Sequence, residues 1–232
     1  MKHILKTILA LFTVAVLMAA CKKDSYFVGG TLHNAKVNLT TYDFLKGNKD
    51  RLFDTLIILI DKAGIKDKIN QPGVSFFAPT NYAIRSFFAN KTAKIQRVNP
   101  LKRYNLDSLI KYDLNVFKDS MNVYIVPKII NYNNLTENGT LYNTAKAGAN
   151  AVVSFEYTTD PFLGFNPNST NKPQIMYYTY LLKPLIAPIV ASDISPTDGV
   201  RLRVQTSGIE TTTGMVHVLE NAHILFFQKK IN

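Results

Sequence analysis

The stretch that most limits how this chain can fold lies near its end, Gly214-Met215-Val216-His217-Val218-Leu219-Glu220-Asn221-Ala222-His223-Ile224-Leu225-Phe226-Phe227. It is rich in β-branched and aromatic residues, has no proline, and is broken only by the polar pair Glu220-Asn221, a pattern that predicts a strand, a kink and a second strand. So few polar positions require cover on both faces. The early segment of like character is Val74-Ser75-Phe76-Phe77-Ala78-Pro79-Thr80-Asn81, so the first half of the chain is expected to close against its last strands. Cys21 is the only cysteine, which leaves no intrachain disulfide and no thiolate metal site. The hydrophobic core must therefore hold the fold by itself.

Between these two segments the local signals are readable. Thr40 to Leu45 predicts a short helix. A second helix follows with Phe53, Leu56, Ile57 and Ile60 on one face, Asp50 available as its N-cap and Gly64 as its stop. Gln71-Pro72-Gly73 is a turn into the strand from Val74. Pro79 ends that strand, and Thr80 or Asn81 is placed to cap a third helix carrying Ile84, Phe87 and Phe88. Residues 22–37 mix polar positions with Gly29-Gly30 and read as a tether.

At Ser75-Phe76-Phe77-Ala78-Pro79-Thr80-Asn81-Tyr82-Ala83-Ile84 the chain resembles the first signature box of fasciclin domains, and Gly214 to Glu220 resembles the second. Val126-Pro127, Asn134-Leu135 and Gly139-Thr140-Leu141 are similar to the family's middle segment. The resemblance implies one α+β domain over residues 38–232, a fasciclin-like β-wedge or sandwich with helices packed along one side. Relative to that pattern, the regions near 90–104 and 155–190 are insertions. The family often carries Tyr-His before Val-Val-Pro, implicated in receptor binding in some animal members. Here Tyr124 stands at the histidine position, so that mode of adhesion does not carry over. The resemblance also implies that His217 is a buried structural group, with Pro79, Thr80 and Asn81 as structural members of the first box.

Residues 1–20 read separately. Lys2 and Lys6 precede an apolar run from Ile8 to Met18, and Ala19-Ala20 lie directly before Cys21. This is the size and order of a secretion signal, shorter than a membrane span. Met18-Ala19-Ala20-Cys21 is similar to a bacterial lipoprotein box, which implies cleavage before Cys21 and attachment there of fatty acyl chains such as palmitate. Lys22, rather than aspartate, follows the lipid site, so the resemblance favours the outer membrane and leaves the leaflet open.

Of the 27 basic residues only Lys2 and Lys6 fall in this leader, and the rest still outnumber the 16 acidic ones. An exported basic protein is suited to anionic polysaccharide, lipid headgroups or an acidic protein partner. No nucleic-acid-binding pattern is visible. Lys91, Lys94, Arg97, Lys102 and Arg103 form a basic run without an acid, read either as a docking surface or as a solvated insert. Phe162, Phe165, Tyr177, Tyr178 and Tyr180 bracket an Asn- and Pro-rich loop and could grip a sugar or an extended peptide. The competing reading makes Met176, Tyr178 and Tyr180 the inner row of a hairpin strand. Asp54-Thr55-Leu56, Asp107-Ser108-Leu109 and Asp119-Ser120-Met121 resemble O-glycosylation acceptors of exported bacterial proteins; the competing reading is chance and helix capping by Asp and Ser, and Asp54 falls inside a predicted helix.

Nucleophile elbows, phosphate-binding loops and paired carboxylates are not legible, and His217 and His223 have no metal-ligand set around them. The expectation is a protein without enzymatic activity, cofactor or metal. It is a lipid-anchored adhesion or protein/glycan-binding module of the outer membrane or, alternatively, an accessory lipoprotein of a nutrient-uptake complex that binds glycan or peptide.

Overall fold

The computed structural model describes residues 35–230. The leader at 1–20, Cys21 and nearly all of the 21–37 tether lie outside the described residues. A sheet runs in the order β3-β2-β8-β7-β6-β5-β4, with β2 as Val74–Ala78, β3 as Ile125–Val126, β4 as Thr140–Asn143, β5 as Asn150–Tyr157, β6 as Gln174–Leu181, β7 as Gly199–Glu210 and β8 as Gly214–Leu219. A short β1, Ala35–Lys36, adds to β7 in parallel. The two ends of the path nearly meet, because the Ala145 amide just after β4 donates to the Ile125 carbonyl of β3 at 2.7 Å. The helices come between β1 and β3, and the class is α+β, a mixed-sheet wedge with several helices.

The two segments singled out from sequence are neighbours. β2 and β8 pair in parallel, with Phe76 opposite Val216 and Phe77 opposite His217, and every residue of both strands is buried. Gly214 opens β8 because nothing larger fits: a Cβ there would sit 2.2 Å from the Val74 carbonyl oxygen. The threonines before it lock the turn. The Thr211 hydroxyl donates to the Gly214 carbonyl at 2.9 Å and lies 3.0 Å from the Thr41 hydroxyl at the start of helix α1, Thr41–Lys46.

The stretch after β8 corrects the expected second strand. Leu225–Phe227 forms a single 3-10 turn, with Phe226 and Phe227 in left-handed backbone at φ 62° and 56°. Aromatic composition alone reads as strand, but here it serves to drive Leu225 and Phe227 into the core as a plug.

Helix α2, Asp54–Ala63, buries Leu56, Ile57 and Ile60 as the periodicity requires, and Gly64 ends it at φ 62°. Its start differs from expectation. Asp50 lies outside the helix, Phe53 holds the N-cap position without a side-chain bond, and the Thr55 amide is capped from afar by Asn81 Oδ1 at 3.0 Å. Asn81 Nδ2 donates to the Arg51 carbonyl at 2.8 Å, and Asn81 N donates to that of Leu52. Asn81 itself begins helix α4, Asn81–Gln96; α3 is Lys66–Ile69. Thr80 precedes α4 at the N-cap position but makes no side-chain capping bond. Its hydroxyl instead donates to Asn221 Oδ1 at 3.0 Å, tying the end of β2 to the turn after β8. The first-box residues thus work as tertiary clamps rather than as local caps.

Candidate binding surface

Two of the aromatic residues expected at a binding surface, Tyr178 and Tyr180, are turned to the core instead. Tyr178 is fully buried, donates to the Val123 carbonyl and packs on Phe77 with ring centroids 4.3 Å apart. Tyr180 stacks on Phe227 at 4.6 Å. Met176, Tyr178 and Tyr180 are therefore the inner row of β6; Tyr178 is corrected from a ligand contact to a core side chain, and Tyr180, half-buried, to one packed against the core.

Both described C-terminal histidines are buried as well. The Gly208 amide donates to His217 Nδ1 at 3.2 Å, which fixes the ring proton on Nε2 and lets it donate to the Ile130 carbonyl at 3.0 Å. Gly208 reaches this position through a bulge in β7, where the register with β8 shifts between Thr206 and Ile209. At Tyr124 the hydroxyl accepts from the Phe226 amide at 2.6 Å, so its own proton points to His223 Nε2 at 2.7 Å. Burial holds His217 down to about 4 and His223 down to about 3. Tyr124, which replaces the family's histidine, is wholly buried and faces inward.

Tyr177 lies on the opposite face of β6, half-buried. The Arg201 guanidinium covers its ring at 3.9 Å, and Arg201 Nη2 bonds Glu156 Oε1 at 2.6 Å. The face a sugar would stack on is thus already occupied by the protein's own cation. Phe162 sits in the loop between β5 and β6, 98% exposed, while Phe165 is half-buried, so the five aromatics do not form one platform.

The basic run does form one feature, an arm made of the end of α4 and the chain returning from it. Its base is clamped: the Tyr104 amide donates to the Thr92 hydroxyl at 2.9 Å, and that hydroxyl donates to the Tyr104 carbonyl at 3.2 Å. Lys91 belongs to this base rather than to a free surface, with Nζ 3.4 Å from Asp113 Oδ2 and near the rings of Phe87 and Tyr104. Tyr104 also donates a short bond to Asp113. Burial first, then the Asp113 carboxylate, pushes the Tyr104 hydroxyl far above its ordinary range. Asp113 comes within reach because Leu109–Asp113 is a π-helical turn, set between α5, Leu106–Ser108, and α6, Leu114–Ser120.

Beyond the clamp the arm is exposed to solvent. Lys94, Arg97, Lys102 and Arg103 are all exposed, and between them stand Val98 at 90% and Leu101 at 93% exposure. The turn that carries these two is defined by its own backbone. The Val98 and Asn99 amides donate to the Ile95 carbonyl at 3.0 and 2.9 Å, the Lys102 amide to the Asn99 carbonyl at 3.1 Å, and the Leu101 amide to Asn99 Oδ1 at 3.2 Å. Two aliphatic side chains are thus held in water amid four cations. Sequence reading found the cations but missed Val98 and Leu101; the signal was there in two aliphatics flanking Asn99-Pro100, a turn pair with no helical or strand period to bury them.

Among the described residues no group of three His, Cys, Asp or Glu side chains is placed to hold a metal ion, and no helix is long and apolar enough to cross a membrane.

Comparison with known proteins gives three findings. No curated protein matches the chain. Among solved structures it is similar to a FAS1 domain pair from the insect cell adhesion molecule fasciclin I, at 15% identity and a TM-score of 0.45, over 78% of this chain; it spans about half of that relative's length, 47%. The family model described as "Fasciclin domain" matches residues 51–222, from the turn clamped by Asn81 through β8 to the residue before His223. With most of its length matched, the chain belongs to the fasciclin domain family.

Proposed function

We propose that this protein is an exported, lipid-anchored, non-enzymatic binding module of the cell envelope, and that its contact surface is the arm at residues 91–104. Fasciclin domains are modules of the cell-adhesion type, which favours a surface that holds a partner over one that transforms it. The leader and Cys21 supply the reasoning for export and acylation, with the outer membrane as destination. The observation that carries the contact surface is the arm itself. Its base is fixed by Thr92, Tyr104, Lys91 and Asp113, and the residues beyond it present four exposed cations and two exposed aliphatics. A merely solubilising insert needs the cations but not the aliphatics. An anionic component of the envelope suits the charge.

The test uses washed envelope fragments and the full-length protein carrying Cys21→Ser, which blocks acylation so that binding reports the arm and not the anchor. Binding is expected to weaken as salt is raised and to be lost when Lys94, Arg97, Lys102 and Arg103 are all replaced by Gln, at unchanged stability. Salt-insensitive binding that the Gln variant retains would refute the arm as contact surface. Intact-mass analysis of the mature protein checks the anchor separately: a Cys21 N-terminus carrying acyl mass is expected, and an unprocessed chain would refute the anchor.

A further inference from the structure

We infer that the arm at residues 94–103 docks on an anionic lipid surface, with Val98 and Leu101 entering the interface and Lys94, Arg97, Lys102 and Arg103 engaging the headgroups. This rests on the reading of the arm as contact surface and names what it contacts.

Along the chain the order is cation, cation, aliphatic, turn, aliphatic, cation, cation. Lys94 and Arg97 come up one side, Val98 and Leu101 flank Asn99-Pro100 at the turn, and Lys102 and Arg103 go down the other. The aliphatics therefore occupy the crest and the cations its shoulders. A hydrated acidic polysaccharide has no use for that order, since its charges would meet uncharged side chains first. A bilayer interface fits both parts, with acyl carbon below for the crest and phosphate level with the shoulders.

The arm is also built to keep the crest outward. Backbone donors to Ile95 and Asn99 define the turn, and Pro100 fixes one of its φ angles. The clamp between Thr92 and Tyr104 holds the two legs together. No acidic residue lies between Lys91 and Arg103 to repel phosphate, and Asp113, the acid at the base, is occupied by Lys91 and Tyr104.

The chain contains no tryptophan, so Leu101→Trp in the full-length protein gives a single indole at the crest. Its emission is measured with phosphatidylglycerol vesicles and with phosphatidylcholine vesicles, each also prepared with brominated acyl chains as a contact quencher. A blue shift and bromolipid quenching are expected with phosphatidylglycerol, reversed by salt and absent with phosphatidylcholine. Val98→Trp is expected to behave alike, which guards against a local effect of one substitution. Adding Lys102→Gln and Arg103→Gln lowers the ratio of inserted to free crest about thirty-fold, from roughly fivefold losses compounded over two cations. Reading the crest rather than total vesicle binding keeps the result independent of any acyl anchor.

An indole that stays solvent-exposed and unquenched at both positions overturns the lipid assignment. If the fourfold Gln variant still loses envelope binding in that case, the arm remains the contact surface and its partner is a polymer or protein. Equal insertion into phosphatidylcholine, unaffected by the Gln substitutions, also overturns it, because the cations would then have no part.

Discussion

The corner around Tyr124 and the arm around Leu101 are made of similar material and put to opposite use. At the corner Tyr124, His223 and Phe226 join polar atoms inside the core, hydroxyl to imidazole at 2.7 Å and amide to hydroxyl at 2.6 Å, with the Tyr124 and Phe227 rings stacked at 5.2 Å. At the arm, backbone bonds fix a turn whose apolar side chains touch water instead of a core. Polar groups satisfied in the interior cost stability when removed; apolar groups held outside do not. The contrast predicts that substitutions in one region unfold the protein and those in the other leave it folded but inactive in binding.

The largest effect is expected beside the corner, on the strand that feeds it. Gly214→Ala drives a methyl group against the Val74 carbonyl oxygen, which is backbone and cannot swing away, so the β2–β8 pair must part. A loss of about 3 kcal/mol is expected in urea denaturation. Tyr124→Phe comes next. It keeps the ring and removes one hydroxyl, leaving the Phe226 amide and the His223 ring nitrogen unpaired in the interior, for a loss of about 2 kcal/mol. Hydrogen exchange at the Phe226 amide should speed up with it.

Acid sharpens the comparison further. His217 and His223 are buried neutral, with native values near 4 and 3 against an ordinary 6.5. Between these values the unfolded chain binds the protons and the native chain does not, so stability is complete above about pH 6.5 and falls as the pH drops. Each histidine contributes a slope of about 1.4 kcal/mol per pH unit, ending near pH 4 for His217 and near pH 3 for His223. Denaturation midpoints measured from pH 7 to pH 4 check this, and His223→Gln should flatten the slope. Crest insertion into anionic vesicles should not follow those two histidines over the range where the protein stays folded. The smallest effect belongs to the arm: the fourfold Gln variant is expected within about 0.5 kcal/mol of the parent.

How far the sequence could be read follows from the same contrast. Strand β2, helix α1, the glycine stop at Gly64 and the inner row Met176, Tyr178 and Tyr180 were legible because each is dictated by neighbours a few residues away. Caps were not. Asn81 serves the Thr55 amide of another helix and Thr80 serves Asn221, and no local rule names a partner 26 or 141 positions off. The left-handed pair Phe226 and Phe227 defeated composition for a similar reason, since their strained backbone is held by Tyr124, which lies 102 residues before Phe226. At the arm the cations were legible as a run. Val98 and Leu101 escaped because aliphatic residues are ordinarily assigned to a core, and only their exposure in three dimensions marks them as a surface.

The most direct test sets the two regions side by side in one preparation. Urea midpoint and envelope binding are measured, all in a Cys21→Ser background that removes the acyl anchor, for the parent, for Tyr124→Phe and for the fourfold Gln variant of Lys94, Arg97, Lys102 and Arg103. Tyr124→Phe is expected to lower the midpoint while its folded fraction still binds, and the Gln variant to keep the midpoint and lose binding. A Gln variant that binds as well as the parent, or one whose midpoint falls as far as that of Tyr124→Phe, would contradict this division between the two regions.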